Sequence, residues 1–272
     1  MDFATVIGVV VGMVAVLAGM IFKGVTPDAL LNPAAILIIL FGTAGAVMIA
    51  FPVSELKRIP KLFGILFKEK ENQSDGEVIR LFSQLADTAR REGLLSLEGQ
   101  ASEVDDPFLK NGLSLAVDGQ SAEYIRDVLT EEIEAMEERH AGGALIFAQA
   151  GTYAPTLGVL GAVVGLIAAL SDMNDIEKLG HAISGAFIAT MLGIFTGYVL
   201  WHPFANKLKR KSKQEARQKM MVVEGVLSIL EGEAPRVIEQ KLASYLPASE
   251  RQKILEEREA GFVGQETQKA TS

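Results

Sequence analysis

ALIFAQAGTYAPTLGVLGAVVGLIAAL (Ala144–Leu170) and AISGAFIATMLGIFTGYVLWHPF (Ala182–Phe204) are two long apolar segments joined by the polar link SDMNDIEKLGH. The second runs on into the basic tract ANKLKRKSK. Neither segment contains Asp, Glu, Lys or Arg, yet both carry a proline and threonines. Each exceeds the roughly 20 residues that an α-helix needs to cross a bilayer. Such a pair describes the wall of a membrane pore, with hydroxyls and helix-deforming residues but no charged group. Whatever crosses there is handled partly by another chain.

Two further blocks of this kind lie upstream, at Phe3–Phe22 and Pro33–Val53. The 272 residues are 49% hydrophobic, and their mean hydropathy is positive. The expected fold is therefore an all-α integral membrane protein. It has four transmembrane helices and a helical cytoplasmic insert between helices 2 and 3. The expected domains are 1–53 (helices 1 and 2), 54–143 (insert), 144–204 (helices 3 and 4) and 205–272 (cytoplasmic C-terminal helices and tail). The first block has neither a basic n-region nor a small-residue cleavage site, so it reads as a span and not a signal peptide. The absence of cysteine excludes disulfides, thiolate metal sites and cysteine nucleophiles. No metal-ligand spacing and no P-loop pattern occurs, and nothing points to nucleic acid, an enzyme or a bound cofactor.

Lysine and arginine set the topology. Lys57, Arg58, Lys61, Lys68 and Lys70 follow the second block, and Lys207, Lys209, Arg210, Lys211 and Lys213 follow the fourth. Each short link between paired spans carries a single Lys. The positive-inside rule then puts both termini and the insert in the cytoplasm.

The insert reads as helical. Ser74 and Glu77 suit a capping box, with Val78, Leu81, Leu85 and Ala89 at helical spacing and Gly93 as a stop. Asp106-Pro107 starts another helix, Asp118-Gly119 marks a turn, and Ser121 suits the cap of the next helix. No strong breaker intervenes before Gly142-Gly143, so this helix is expected to run on into the third span. The fourth span is expected to extend in the same way through NKLKRKSKQEARQKMMVVEGVLSIL. Pro235 and Pro247 bracket the short helix RVIEQKLASYL, and the terminal GFVGQETQKATS is expected to be disordered.

Small residues recur four apart at Gly8/Gly12, at Gly161/Gly165 and at Gly185, Ala189, Gly193 and Gly197. They allow close helix approach in lipid. Within-chain packing is the simpler account for the first span. For the third and fourth, a neighbouring subunit is an equal candidate. Pro155 frees the Gly151 carbonyl inside the third span. It is either a static kink or a hinge on an ion path, with Thr152 and Thr156 in reach of that carbonyl. Pro203 allows the same two readings. Thr190 bonds its own backbone or helps hold an ion or water. His140, His181 and His202 stand at or beyond span ends, where interfacial anchoring is the simpler role for the last two. Arg90 and Glu98, eight apart, share one face only if the helix continues through Gly93. Otherwise they belong to a solvated surface.

AFIATMLGIFTGYVLWHP (186–203), GTYAPTLGVLGAVVGL, REGLLSLE and LLNPAAILI together resemble the A-subunit family of bacterial flagellar stators, the MotA/PomA group. The resemblance covers nearly the whole chain and implies an ion-conducting stator subunit that forms a homo-oligomeric ring. It further implies a B-type (MotB-like) partner with a peptidoglycan-binding domain and an ion-binding aspartate, and a rotor switch protein (FliG-like) on which torque acts. Carried over residue by residue, Pro155 and Pro203 match the family's coupling prolines and Thr190 its threonine facing the partner aspartate. Arg90 and Glu98 match its rotor-contacting charges. Sodium-type relatives have threonine where this chain has Ala162 and Ala189, which implies a translocated proton, with sodium as the alternative. The ExbB/TolQ-like energisers of envelope transport are the other candidate, although they usually have three spans. A substrate transporter would show repeat symmetry, which is missing here. A passive scaffold would leave Pro155 and Thr190 without a role.

Overall fold

The computed structural model describes residues 3–68, 74–171, 176–249 and 251–252, and every long element among them is helical. Four helices are long and apolar enough to cross a membrane: α1 (Phe3–Phe22), α2 (Pro33–Ala50), α8 (Ala122–Leu170) and α9 (Ile176–Leu230). Between α2 and α8 lie α3 (Val53–Leu56), α4 (Ile59–Phe67), α5 (Asp75–Glu92), α6 (Leu97–Glu103) and α7 (Pro107–Val117). After α9 comes α10 (Pro235–Ala243). The all-α, four-span expectation matches this architecture. The terminal GFVGQETQKATS and link residues 172–175 lie outside the described residues.

The chain divides into two units, residues 1–70 with 138–212, and 71–137 with 213–272. The first holds the spans. Only 6% of the most apolar window of α1 is buried within the chain, with Val10, Val11 and Val14 all about half exposed. Such a helix keeps its backbone hydrogen bonds internal and leaves its side chains to hydrocarbon, as a bilayer requires. The second span stops three residues earlier than expected. Pro52 has no N–H and drives Phe51 into extended backbone (φ −126°, ψ 144°). Helix α4 then lays Leu62, Phe63, Leu66 and Phe67 against Phe147 and Phe204. Its Lys211 neighbour donates to the Ile65 and Lys68 carbonyls at the end of that helix, at 2.6 and 2.8 Å.

The second unit has a separate core built from insert and C-terminal helices alike. Phe82, Leu85, Leu113, Leu129, Val226 and Leu242 are essentially inaccessible, and each contributes roughly 1.5–3 kcal/mol by burial. Its punctuation follows the sequence. Ser74 and Glu77 form the reciprocal capping box, Asp106 accepts from Phe108 and Leu109 N–H, and Gly119 adopts φ +75°. Gly142 and Gly143 do not interrupt α8, which runs unbroken for 49 residues. Glycine in a helix interior costs only about 1 kcal/mol relative to alanine. The Leu62 side chain lies within 3.1 Å of where a Gly143 Cβ would stand, so this glycine makes room for α4.

Candidate functional site: the seam between the third and fourth spans

Four glycines build the seam. A Cβ on Gly158 would lie 2.8 Å from the Ala189 carbonyl oxygen and 3.0 Å from the Gly193 Cα. One on Gly193 would lie 2.7 Å from the Ala154 oxygen. One on Gly197 would lie 2.8 Å from the Gly151 oxygen and 2.8 Å from Pro155 Cγ. At each point the helices meet backbone to backbone, and the Cα–H bond that replaces Cα–Cβ points at a carbonyl of the facing helix. Such contacts are weak singly, but they recur where helices approach this closely. Part of the small-residue stripe thereby finds its partner within the same chain. Gly193 and Gly197 pack within the chain. So does Gly12, where a Cβ would meet Val199 at 2.7 Å, whereas Gly8 has open space.

Pro155 sits at the seam's centre, half-buried and inside a continuous helix. The carbonyl it frees is not satisfied by the nearby hydroxyls. Thr152 donates to the Ala148 oxygen at 3.1 Å, and Thr156 to the Tyr153 oxygen at 2.7 Å. Both hydroxyls turn back along their own helix instead, because a helical Thr reaches the preceding turn with little torsional cost. Gly197 covers the Gly151 oxygen.

Span four deforms opposite Pro155. Thr196–Trp201 forms a π-helical turn in which the His202 N–H reaches the Gly197 oxygen. Pro203, exposed and lacking an N–H, follows at once. A second π turn, Leu37–Phe41, interrupts α2. Neither turn was legible as a motif. The His202 ring does not extend outward as a simple anchor. It lies over Gly151, where a Cβ would stand 2.8 Å from its Cδ2, and its centroid is 5.2 Å from that of Tyr198. Trp201 packs inward on Phe63, Phe147 and Phe204.

Ala162 and Ala189 are buried, at 8% and 2% exposure. Thr190 is half-buried and donates to its own Ala186 carbonyl at 3.1 Å. Ala189 also lines an apolar groove of about 520 Å³ between spans two, three and four, together with Ile38, Gly161 and Gly185. Pro155, Ala162, Thr190 and Pro203 do not line it. The sequence did hold a signal for the seam that the four-residue spacing missed. Gly151, Gly158 and Gly165 are seven apart, a spacing that returns to one helix face after two turns.

In the second unit, Arg90 and Glu98 are exposed and stand on different helices. Gly93 ends α5 at φ +87°, so no continuous helix carries the two charges. Nearby, Arg91 pairs with Asp87 rather than with Glu98. A denser network fastens α10. Lys241 bonds Glu224 at 2.6 Å and approaches Glu233 at 3.6 Å and the Ser228 hydroxyl at 3.0 Å. The Glu224 hydrogen bond raises the Lys241 pKa above its ordinary 10.5, against burial, which lowers it. Burial, then the Glu224 charge, pushes the Tyr245 phenol up. No cluster that could hold a metal ion occurs among the described residues.

Residues 100–221 match the model of the MotA/TolQ/ExbB proton channel family, and residues 6–93 match that of the motility protein A N-terminal region. Motility protein A of Bacillus subtilis (strain 168) is 65% identical over 260 residues, covering 96% of each chain. The chemotaxis protein PomA of Vibrio alginolyticus is 32% identical over 92% of this chain and 98% of its own. Among solved structures, the flagellar MotAB stator complex from Bacillus subtilis superimposes with a TM-score of 0.87 at 66% identity, covering 91% of this chain and 97% of that one. With a glycine seam closed around Pro155 and relatives matched from end to end, the chain belongs to the MotA/TolQ/ExbB proton channel family, among the motility protein A subunits of flagellar stators, which are not enzymes.

Proposed function

We propose that this chain is the ring-forming subunit of a proton-driven flagellar stator in the inner (cytoplasmic) membrane, with both termini, the insert 54–143 and the segment 205–272 in the cytoplasm. Its partner is a MotB-like subunit whose aspartate binds the ion and whose outer domain holds peptidoglycan. Proton transfer at that aspartate flexes the seam at Pro155 and Pro203, beside Ala162, Ala189 and Thr190. Arg90 and Glu98 deliver the motion to a FliG-like switch protein of the rotor.

One observation carries this reading: four spans without a single Asp, Glu, Lys or Arg enclose a close-packed, proline-bearing seam. A charge-free wall needs another chain's acid, and two glycine faces with no side chains interlocked across them can slide past each other. Proton over sodium is supported by the alanines at 162 and 189, and by the Gly151 carbonyl. That oxygen would be a sodium ligand if open, but Gly197 covers it. One charge crossing 100 mV yields roughly 2.3 kcal/mol, enough to bias a small step.

The test is a strain lacking its own stator, complemented with this chain and its B-type partner. Rotation is expected to persist when sodium is replaced by potassium and to stop on addition of a protonophore. Rotation that needs sodium would overturn the proton assignment, and no rotation at all would overturn the stator reading.

A further inference from the structure

Across the four apolar segments, 3–22, 33–53, 144–170 and 182–204, the side chains that exchange protons at all are Tyr153, Tyr198 and His202. Of these, the imidazole of His202 is the side chain whose nitrogen can both accept and donate a proton along a relay; His181, one residue before the fourth segment, is exposed and lines the groove beside Ala189. His202 stands at the end of span four that leads into the basic tract, half-buried within the chain.

Its placement adds a second argument. The ring is stacked on the backbone of span three at Gly151, the residue whose carbonyl Pro155 frees. Its backbone N–H bonds the Gly197 oxygen one turn back along its own helix, and Gly197 is pressed against Pro155. A charge that appears on this ring therefore appears at the seam. A headgroup anchor would extend away from the seam, and a simple filler would need no ring nitrogen.

We propose that His202 is the proton-exit residue of the pathway, an inference that rests on the proton reading above. The carboxylic acid supplied by the partner subunit releases its proton, and one imidazole nitrogen accepts it, directly or through water. The resulting imidazolium gives the proton to cytoplasmic water and returns to neutral. One proton is displaced and no bond within the chain changes.

The charged and titratable groups on the elements packed around His202 are few. Its own helix brings Tyr198, in ring contact, and Lys207, whose ammonium donates to Thr5 of α1. Span three brings Tyr153 and, about three turns further down, His140, which bonds Ser212. The short helix α4 brings exposed Lys61. The nearest acids are Glu55 of α3, whose carboxylate oxygen lies 3.5 Å from where a Gly142 Cβ would stand, nine residues along span three from Gly151, and Glu138 beyond it.

The experiment uses the intact stator in cells, with motor speed followed at fixed proton-motive force while cytoplasmic pH is stepped from about 6 to 8. The wild type is expected to slow at the acid end, where an exit residue more often already holds a proton. His202→Gln is expected to turn several-fold more slowly and to lose that dependence, at unchanged membrane abundance and partner retention. His202→Ala, with its space over Gly151, is expected to regain speed with added imidazole but not with pyrazole, which has the same shape and little basicity. Equal rescue by both rings, no rescue by either, or a His202→Gln motor that keeps the wild-type pH profile would overturn the proposal. Sodium dependence of the wild type would instead remove the proton reading beneath it, so the two failures are distinguishable.

Discussion

Pro155 of span three and Gly197 of span four are pressed together so closely that a Cβ on Gly197 would lie 2.8 Å from the proline Cγ and 2.8 Å from the Gly151 oxygen. The residue that weakens one helix is therefore met by the residue of the other that has no side chain. Span four takes its π turn from Thr196 onward, at the same level. Local backbone irregularity in both helices coincides at one contact.

Gly197→Ala tests that contact. The new methyl meets a backbone carbonyl and a ring, neither of which can move aside cheaply. Overpacking of this kind costs about 1–3 kcal/mol. The expected outcome is a stator that still inserts but shows a lower melting temperature after purification and loses most of its torque in a tethered-cell assay. Gly8→Ala, with open space around it, is the matched control and should rotate normally.

Thr190→Ala separates a structural hydroxyl from a functional one. The hydroxyl bonds only its own Ala186 carbonyl, so its loss should change stability by less than about 1 kcal/mol. If Thr190 faces the partner's acid, speed falls at least several-fold while the melting temperature holds. A variant that turns at wild-type speed removes Thr190 from the ion pathway.

Charge reversal at Arg90 or Glu98 should leave the fold alone. Both side chains are exposed, and surface substitutions usually stay within about 0.5 kcal/mol. Rotation is expected to fail or weaken with each single reversal, while membrane abundance and partner retention stay at wild-type level. Normal rotation of both reversals would show that the rotor is engaged elsewhere.

Lys241 gives a pH prediction. Its pKa is raised in the folded chain, first by the Glu224 hydrogen bond. A raised pKa means that its stabilisation is full below the unfolded value, near 10.5, and is lost as pH climbs through the higher folded value. Melting of the second unit should therefore fall more steeply above pH 10.5 in the wild type than in Lys241→Met. Because the side chain is 35% exposed, solvent screening keeps the effect small. At pH 7 the variant should be less stable by about 1 kcal/mol, since Glu233 loses its cation while Glu224 keeps Arg126 at 3.6 Å.

Much of the fold was legible because bilayer physics writes it plainly. Spans need about 20 apolar residues, caps need Ser74 and Asp106, and turns with positive φ need Gly93 and Gly119. The site was less legible. Pro155 and Thr190 were visible as unusual residues in an apolar helix, but their partners were not. Thr152 and Thr156 stood near the freed carbonyl in sequence and turned away from it in space. Arg90 and Glu98 could share a face only on a helix that continued through Gly93, and Gly93 ends that helix.

The sequence by itself determined the four spans, their lack of charge and the capped helices of the second unit. These follow from composition, periodicity and local hydrogen bonding, which act within a few turns of chain. Only the tertiary structure decided that Gly151, Gly158, Gly193 and Gly197 face one another, that Gly197 covers the Gly151 carbonyl, and that His202 folds back onto span three. Those contacts join residues about 35–51 positions apart, and the seven-residue spacing of glycines marks one face of span three without naming what it meets. Which backbone fills a glycine's missing side chain is settled by packing alone.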